Sequence, residues 1–203
     1  MNIYLQGLTM GLAYVAPIGL QNLFVINSAL TQRRSRVYLT ALIVILWDVS
    51  LGVSCFLGAG ALMQAVPWLQ KVILGLGSLI VIWIGIGLLR SRASLEGGKD
   101  VNVPVWKLFT TAFVVTWFNP QAIIDGTLML GAFSATLTVG QSTPFITGVE
   151  TASALWFFGI TLLVSLFSHR FSPRIVTAMN RVCGAVVVLY GVKLLIDFAM
   201  AVL

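Results

Sequence analysis

Six apolar runs, each near the length that crosses a bilayer, constrain this chain more than any single residue does. They fall at roughly residues 3–30, 38–62, 69–90, 107–132, 145–167 and 182–202. About 20 apolar residues span the hydrocarbon core as a helix. In lipid every backbone N–H and C=O must find a partner inside the protein, which leaves helices and closed barrels as the spanning folds; runs of this length select helices. Charged residues make up 9% of the chain, against about 25% in soluble domains, and no polar stretch is long enough for a separate soluble domain. Residues 1–203 are therefore expected to form one all-α integral membrane domain. The segment Met1–Gly11 has no basic residue ahead of its apolar run and no clear cleavage site, so it is expected to be a retained first span.

The cations fix an expected orientation. Loop 1 carries Arg33, Arg34 and Arg36; loop 3 and its flanks carry Arg90, Arg92, Lys99 and Lys107; loop 5 and its flanks carry Arg170, Arg174 and Arg181. Loop 2 holds only Lys71, and loop 4, from Ser134 to Pro144, holds no charge. By the positive-inside rule loops 1, 3 and 5 are cytoplasmic and both termini lie outside. The net charge of +6 thus reports topology. It does not form the aromatic-interleaved basic stripe of a nucleic-acid binder.

Two prolines interrupt apolar runs, Pro17 and Pro120, one in each half. Each is followed five residues later by a polar group, Asn22 and Asp125, and each has a glutamine nearby, Gln21 and Gln121. A carboxylate follows at nearly equal distance: Asp48 is 31 residues after Pro17 and Glu150 is 30 after Pro120. With three spans per half, the second half has the opposite orientation, so six transmembrane helices are expected as two inverted three-helix repeats, about 1–92 and 105–203, with Pro-broken first and fourth helices. Such breaks free backbone groups that lipid cannot satisfy, so they face protein or a wet cavity. Paired breaks in corresponding positions point to a transporter's binding site.

A carboxylate at the centre of a span costs on the order of 2.5–3.5 kcal/mol on the insertion scale, so Asp48 and Asp125 need a role inside the bundle. They suit binding of a cation, a proton or an ammonium group. Glu150 lies nearer a span edge, as an outer waypoint or a solvated residue. Lys193 sits four residues before Asp197 on one helix face, where it can pair with it, reach a buried carboxylate or snorkel outward. Trp117 precedes the Pro120 break and Trp156 opens Trp156-Phe157-Phe158; both can line a cavity or simply pack. Trp68 and Trp106 read as interfacial belt residues, and His169 as a lone loop histidine. Gly58, Gly60, Gly75, Gly77, Gly85 and Gly87 suit close helix approach, without the four-residue glycine spacing.

The segments Pro17-Ile18-Gly19-Leu20-Gln21-Asn22, Trp117-Phe118-Asn119-Pro120-Gln121-Ala122-Ile123-Ile124-Asp125 and Trp156-Phe157 resemble the LysE-type lysine exporter family of bacterial inner-membrane amino-acid exporters. Length, span count and motif order agree across essentially the whole chain. The family pattern P-x-G-P-Q-N is met except at Leu20, where a second proline is usual. The resemblance implies export of L-amino acids driven by the membrane potential or a proton gradient. It implies no enzyme activity, cofactor or metal. Its translocation site would draw on Pro17, Gly19, Gln21, Asn22, Asp48, Asn119, Pro120 and Asp125, to which the residue-level reading adds Glu150, Trp117 and Lys193.

The segments following each proline look more like the basic-substrate branch of that family. A lysine or arginine carries a side-chain cation through a dry core, and fixed anions such as Asp48 and Asp125 offset its desolvation. Its partners would be an amino-acid substrate, protons as a coupling ion and the lipid bilayer, with a homo-oligomer left open. The rival reading is an exporter of neutral amino acids such as threonine or homoserine. A metal or ion exporter lacks the His- and Cys-rich loops that gather metal. A membrane thiol-disulfide electron carrier needs two facing cysteines, whereas Cys55 and Cys183 are expected near opposite membrane faces.

Overall fold

The computed structural model describes residues 2–17, 19–59, 67–90, 103–134, 136–167 and 173–202. All regular structure among them is helical. The first apolar run forms two helices, α1 (Ile3–Val15) and α2 (Leu20–Thr31), bent by 77° at the intervening break. Asn2 opens α1 by accepting a hydrogen bond from the Tyr4 amide, and Pro17, which cannot donate to the preceding turn, marks where α1 has stopped.

The second run is α3 (Arg34–Ser54), which continues as a π-helical turn, Cys55–Ala59. Gly58 closes that turn at φ 116°, a left-handed conformation that favours glycine. Next come α4 (Pro67–Arg90) and α5 (Val105–Trp117). A second break at Phe118–Asn119 separates α5 from the short α6 (Pro120–Gly126), with Pro120 at its first position, where the missing N–H costs nothing. A π turn, Thr127–Gly131, leads into the single turn α7 (Ala132–Ser134). The chain ends with α8 (Val139–Phe167) and α9 (Pro173–Val202).

Several helices begin earlier than the apolar runs alone indicate. Pro67 and Pro173 stand at helix starts, where proline is tolerated, so they mark the beginnings of these helices more than the loops before them. α8 begins at Val139, inside the expected loop 4, and runs through Pro144. Loop residues 91–102 and 168–172, including His169, lie outside the described residues.

By length and composition α3 with its π turn and α8 are long enough to cross a membrane, and the bent α1–α2 pair makes a third such unit. Many large apolar side chains point outward, among them Leu46, Leu57, Trp83, Leu155, Leu189 and Met200, a surface suited to lipid and not to water. Trp68 and Trp106 are exposed near helix starts.

Glycines set how closely the helices approach. A Cβ on Gly7 would strike the Phe145 carbonyl, one on Gly148 the Tyr4 carbonyl, and one on Gly11 would lie 2.8 Å from Val149 and Ala152. Gly7 and Gly11 make a four-residue glycine pair in α1, the close-packing pattern. From Gly7 to Gly11 the partner moves forward from Phe145 to Val149 and Ala152, so α1 and α8 run parallel. α4 and α9 run antiparallel, with Gly75 against Phe198, Gly85 against Val188 and Gly184 against Leu89. α3 runs parallel to α5, where Trp47 meets Phe109 and Ser50 meets Trp117, and antiparallel to α8, where Asp48 meets Ser153 and Gly52 meets Glu150. Val25, Ile43, Val44, Leu108, Ala112 and Phe157 form the core that joins α2, α3, α5 and α8.

Candidate functional site

Both breaks open onto one cavity of about 260 Å³. Pro17, Gly19, Gln21 and Asn22 line it from the first break, Asn119, Gln121 and Asp125 from the second, and Asp48 from α3; Tyr14, Val81 and Val187 complete much of the wall. The volume is just under the range of about 300–1,000 Å³ typical of small-molecule pockets, a size for a single amino acid.

The first break is held open by Asn22. Its Nδ2 donates to the Val15 carbonyl at 3.2 Å and the Pro17 carbonyl at 2.8 Å, acceptors left without a helical partner where α1 ends. Its Oδ1 accepts from the Trp156 indole of α8 at 2.9 Å. Asn22 is buried, and its amide is satisfied on both sides. Beside it, Gln21 Nε2 donates to Asp48 Oδ1 at 2.9 Å and to Thr116 Oγ1 at 3.0 Å, tying α2 to α3 and to the end of α5.

Asp48 is 2% exposed. Its second oxygen accepts from the Ser153 hydroxyl, so the hydrogen-bond donors on this carboxylate are neutral. Asp125 is partly buried, and Gln121 Nε2 donates to both of its oxygens at 2.6 Å. Each half of the chain thus contributes one aspartate held by a glutamine to the same cavity. At the N-terminus of α2 no side chain caps the first amides, so that end offers N–H groups and positive partial charge to the cavity.

Four of the expected site residues stand elsewhere. Pro120 starts α6 and packs against Gly77 of α4, outside the cavity wall. Trp117 donates its indole N–H to Ser50 Oγ at 3.0 Å, bracing α5 on α3 outside the cavity wall. Glu150 lies behind the wall against Gly52 of α3, with one carboxyl oxygen buried and without a hydrogen-bond partner. Lys193 is exposed and lines no part of the cavity. The reason is helical phase: Gly184, Val187, Gly191 and Leu194 form the buried stripe of α9, and a residue two positions from Gly191 points nearly the opposite way. The side chains of Asp197 and Cys183 lie outside the described residues, so the pairings considered for them do too.

Ser153, Thr116 and Tyr14 belong to the constellation without having been singled out beforehand. Ser153 and Thr116 are ordinary helix hydroxyls with no local signature. Tyr14, three residues before Pro17, could have been found by asking what flanks the break.

The arrangement combines broken helices, two aspartates and a cavity of amino-acid size. A model of the LysE type translocator family matches residues 12–198. The chain belongs to that family. It is 34% identical over 192 residues to the arginine exporter protein ArgO of Klebsiella pneumoniae (strain 342), covering 90% of this chain and 88% of that one. The corresponding protein of Escherichia coli (strain K12) is 32% identical over 203 residues, covering 96% and 93%. That of Salmonella schwarzengrund (strain CVM19633) is 34% identical over 179 residues, covering 86% and 82%. No solved structure matches the chain. Family and apolar helices together make it a translocator of the bacterial inner membrane and not an enzyme.

Proposed function

We propose that this translocator exports basic amino acids, arginine foremost, from the cytoplasm through the cavity between the two breaks. The observation that carries the reading is the convergence of Asp48 and Asp125, from different halves of the chain, on one cavity. Arginine brings two cations, an ammonium and a guanidinium, and two carboxylates offset the cost of drying both. The planar guanidinium also suits a carboxylate's paired oxygens. A neutral amino acid has only the ammonium and would leave one aspartate without a counter-charge. The substrate's own carboxylate fits the uncapped N-terminus of α2 beyond Gly19. The relatives named as arginine exporters support the same substrate.

The scaffold of this reading is six spans in two inverted repeats. In alternating crossings, spans 1 and 5 run parallel, spans 2 and 4 parallel, spans 3 and 6 antiparallel and spans 2 and 5 antiparallel; the helix directions of α1 with α8, α3 with α5, α4 with α9 and α3 with α8 agree with that order. Exchanging the halves maps the α1–α8 contact onto α5–α3 and leaves α4–α9 and α3–α8 in place. Moving a cation out against an inside-negative potential costs about 2.3 kcal/mol per 100 mV, so an inward proton is the natural counter-ion. Alternating exposure of the cavity on the two sides completes the cycle.

Cells without their own exporters, loaded with arginine-, lysine- or threonine-containing dipeptides, test the proposal. Arginine and lysine efflux should exceed threonine efflux. Asp48→Asn and Asp125→Asn should each lower arginine efflux by about tenfold or more, the factor that about 1.4 kcal/mol of lost charge pairing produces, at unchanged membrane abundance. Threonine efflux that matches arginine efflux and ignores both substitutions would establish the neutral-substrate reading instead.

A further inference from the structure

Beyond the cavity wall lies a second polar position that the central site does not use. Glu150 sits on α8 one turn before Ser153, the donor to Asp48, and across from Gly52, one turn after Asp48 on α3. It is therefore about one helical pitch, roughly 5 Å, farther than Asp48 from the arginine-bearing start of α3. One of its carboxyl oxygens is buried with no hydrogen-bond partner.

Two barriers enclose that position. On the far side Phe145 stacks between Phe133 and Phe56, with ring centroids 5.1 Å and 5.8 Å apart, and Leu130 and Val149 fill the same cluster. Leu130 approaches the same face of Gly52 as Glu150. On the cavity side stands Tyr14. Its hydroxyl donates to the Ala122 carbonyl at 3.3 Å, a long bond from α1 to α6 and so from one broken unit to the other. Beside it, Gly126 leaves room for Cys55, whose sulfur would lie 2.9 Å from a Cβ there. Tyr14 lines the cavity, whereas Glu150 does not, and the tyrosine also packs against the Phe56, Leu130, Phe145 and Val149 cluster.

We propose that Tyr14 is the gate between the central cavity and Glu150, latched by its hydroxyl on the Ala122 carbonyl. This rests on the export reading above. Substrate at Asp48 and Asp125 leaves when the latch breaks and α6 moves from α1, uncovering Glu150 as the next anion along the route. The aromatic stack then opens as the second barrier. Tyr14 suits the task because one long hydrogen bond to a carbonyl is weak enough to cycle, and its ring blocks the passage while the bond holds.

The gate is tested by labelling from outside, because the stack opens only after the latch has broken and external reagent reaches residue 150 only then. In a Cys55→Ser, Cys183→Ser background, Glu150→Cys reacts with a membrane-impermeant maleimide. Labelling should be slow with Tyr14 present and about threefold to tenfold faster with Tyr14→Phe, the factor expected for one neutral hydrogen bond. Equal rates overturn the gate. As a readout that needs no cysteine, deuterium exchange across residues 127–134 of the purified protein should quicken in Tyr14→Phe; unchanged exchange also overturns it. For Glu150, the Glu150→Gln variant should slow arginine efflux severalfold while Glu150→Asp recovers part of it, and efflux at the parent rate in Glu150→Gln removes that residue from the route. Radiolabelled arginine binding to purified Asp48→Asn and Asp125→Asn proteins separates the two proposals. Binding that survives both substitutions overturns the central site, whereas lost binding with equal labelling rates overturns the gate alone.

Discussion

At the residue scale, glycine and asparagine at the first break do different work. Gly19 has extended backbone, φ −120° and ψ −168°, which any residue adopts, and a Cβ there would meet nothing closer than the Pro17 carbonyl at 4.0 Å. What glycine supplies is empty space in the cavity. Gly19→Ala should therefore leave thermal stability within about 0.5 kcal/mol of the parent, while Gly19→Leu, equally stable, should lose arginine binding because its side chain occupies the cavity. Melting curves and equilibrium binding on the same preparations separate the two effects. Asn22 is structural in a stricter sense. Asn22→Ala leaves the Val15 and Pro17 carbonyls and the Trp156 N–H without their partner, at about 1–3 kcal/mol for each buried group. A marked drop in melting temperature should follow, larger than for Pro17→Ala, because the amide and not the proline ring bridges the break.

At the element scale, the second break depends on a neighbour far away in sequence. A Cβ on Gly77 of α4 would lie 2.5 Å from Cγ of Pro120, so the absence of a side chain there seats the start of α6. Gly77→Ala should destabilise the protein by about 1–3 kcal/mol, the usual cost of overpacking, and should lower arginine efflux, since Asn119, Gln121 and Asp125 move with α6. A thermal-shift assay beside an efflux assay checks both parts. A variant with parent stability and parent efflux would mean that α4 yields easily and does not position the break. The α1–α8 seam follows the same logic through Gly7, Gly11 and Gly148, where backbones touch.

At the scale of the whole molecule, the expected orientation makes a separate prediction. Reporters fused within loops 1, 3 and 5 should score as cytoplasmic, and reporters in loops 2 and 4 and at both termini as external. Fusions that score two successive loops on the same side would break the inverted-repeat reading while leaving the acid-lined cavity intact, and a pattern reversed throughout would overturn the orientation alone. Charge alone motivates this prediction, because the short loops with arginine and lysine alternate with loops nearly free of them.

Sequence by itself determined the chemistry of the medium. Long apolar runs admit only helices in lipid, buried carboxylates demand a role inside the bundle, and Pro17 and Pro120 announce where an apolar run is broken. Pro17, Gly19, Gln21, Asn22, Asp48, Asn119, Pro120 and Asp125 were legible as a group through the family resemblance that their motifs carry. Only the tertiary structure decided which of these polar groups share a cavity. It set Glu150 behind the wall, Trp117 on Ser50 and Lys193 on the outer face of α9, and it brought in Tyr14, Thr116 and Ser153. The physical reason is that membrane depth is written in local hydrophobicity, whereas the direction a side chain takes around its helix is set by packing. That packing depends on glycines such as Gly7, Gly77 and Gly184, whose contacts, Phe145, Pro120 and Leu89, all lie far away in the sequence.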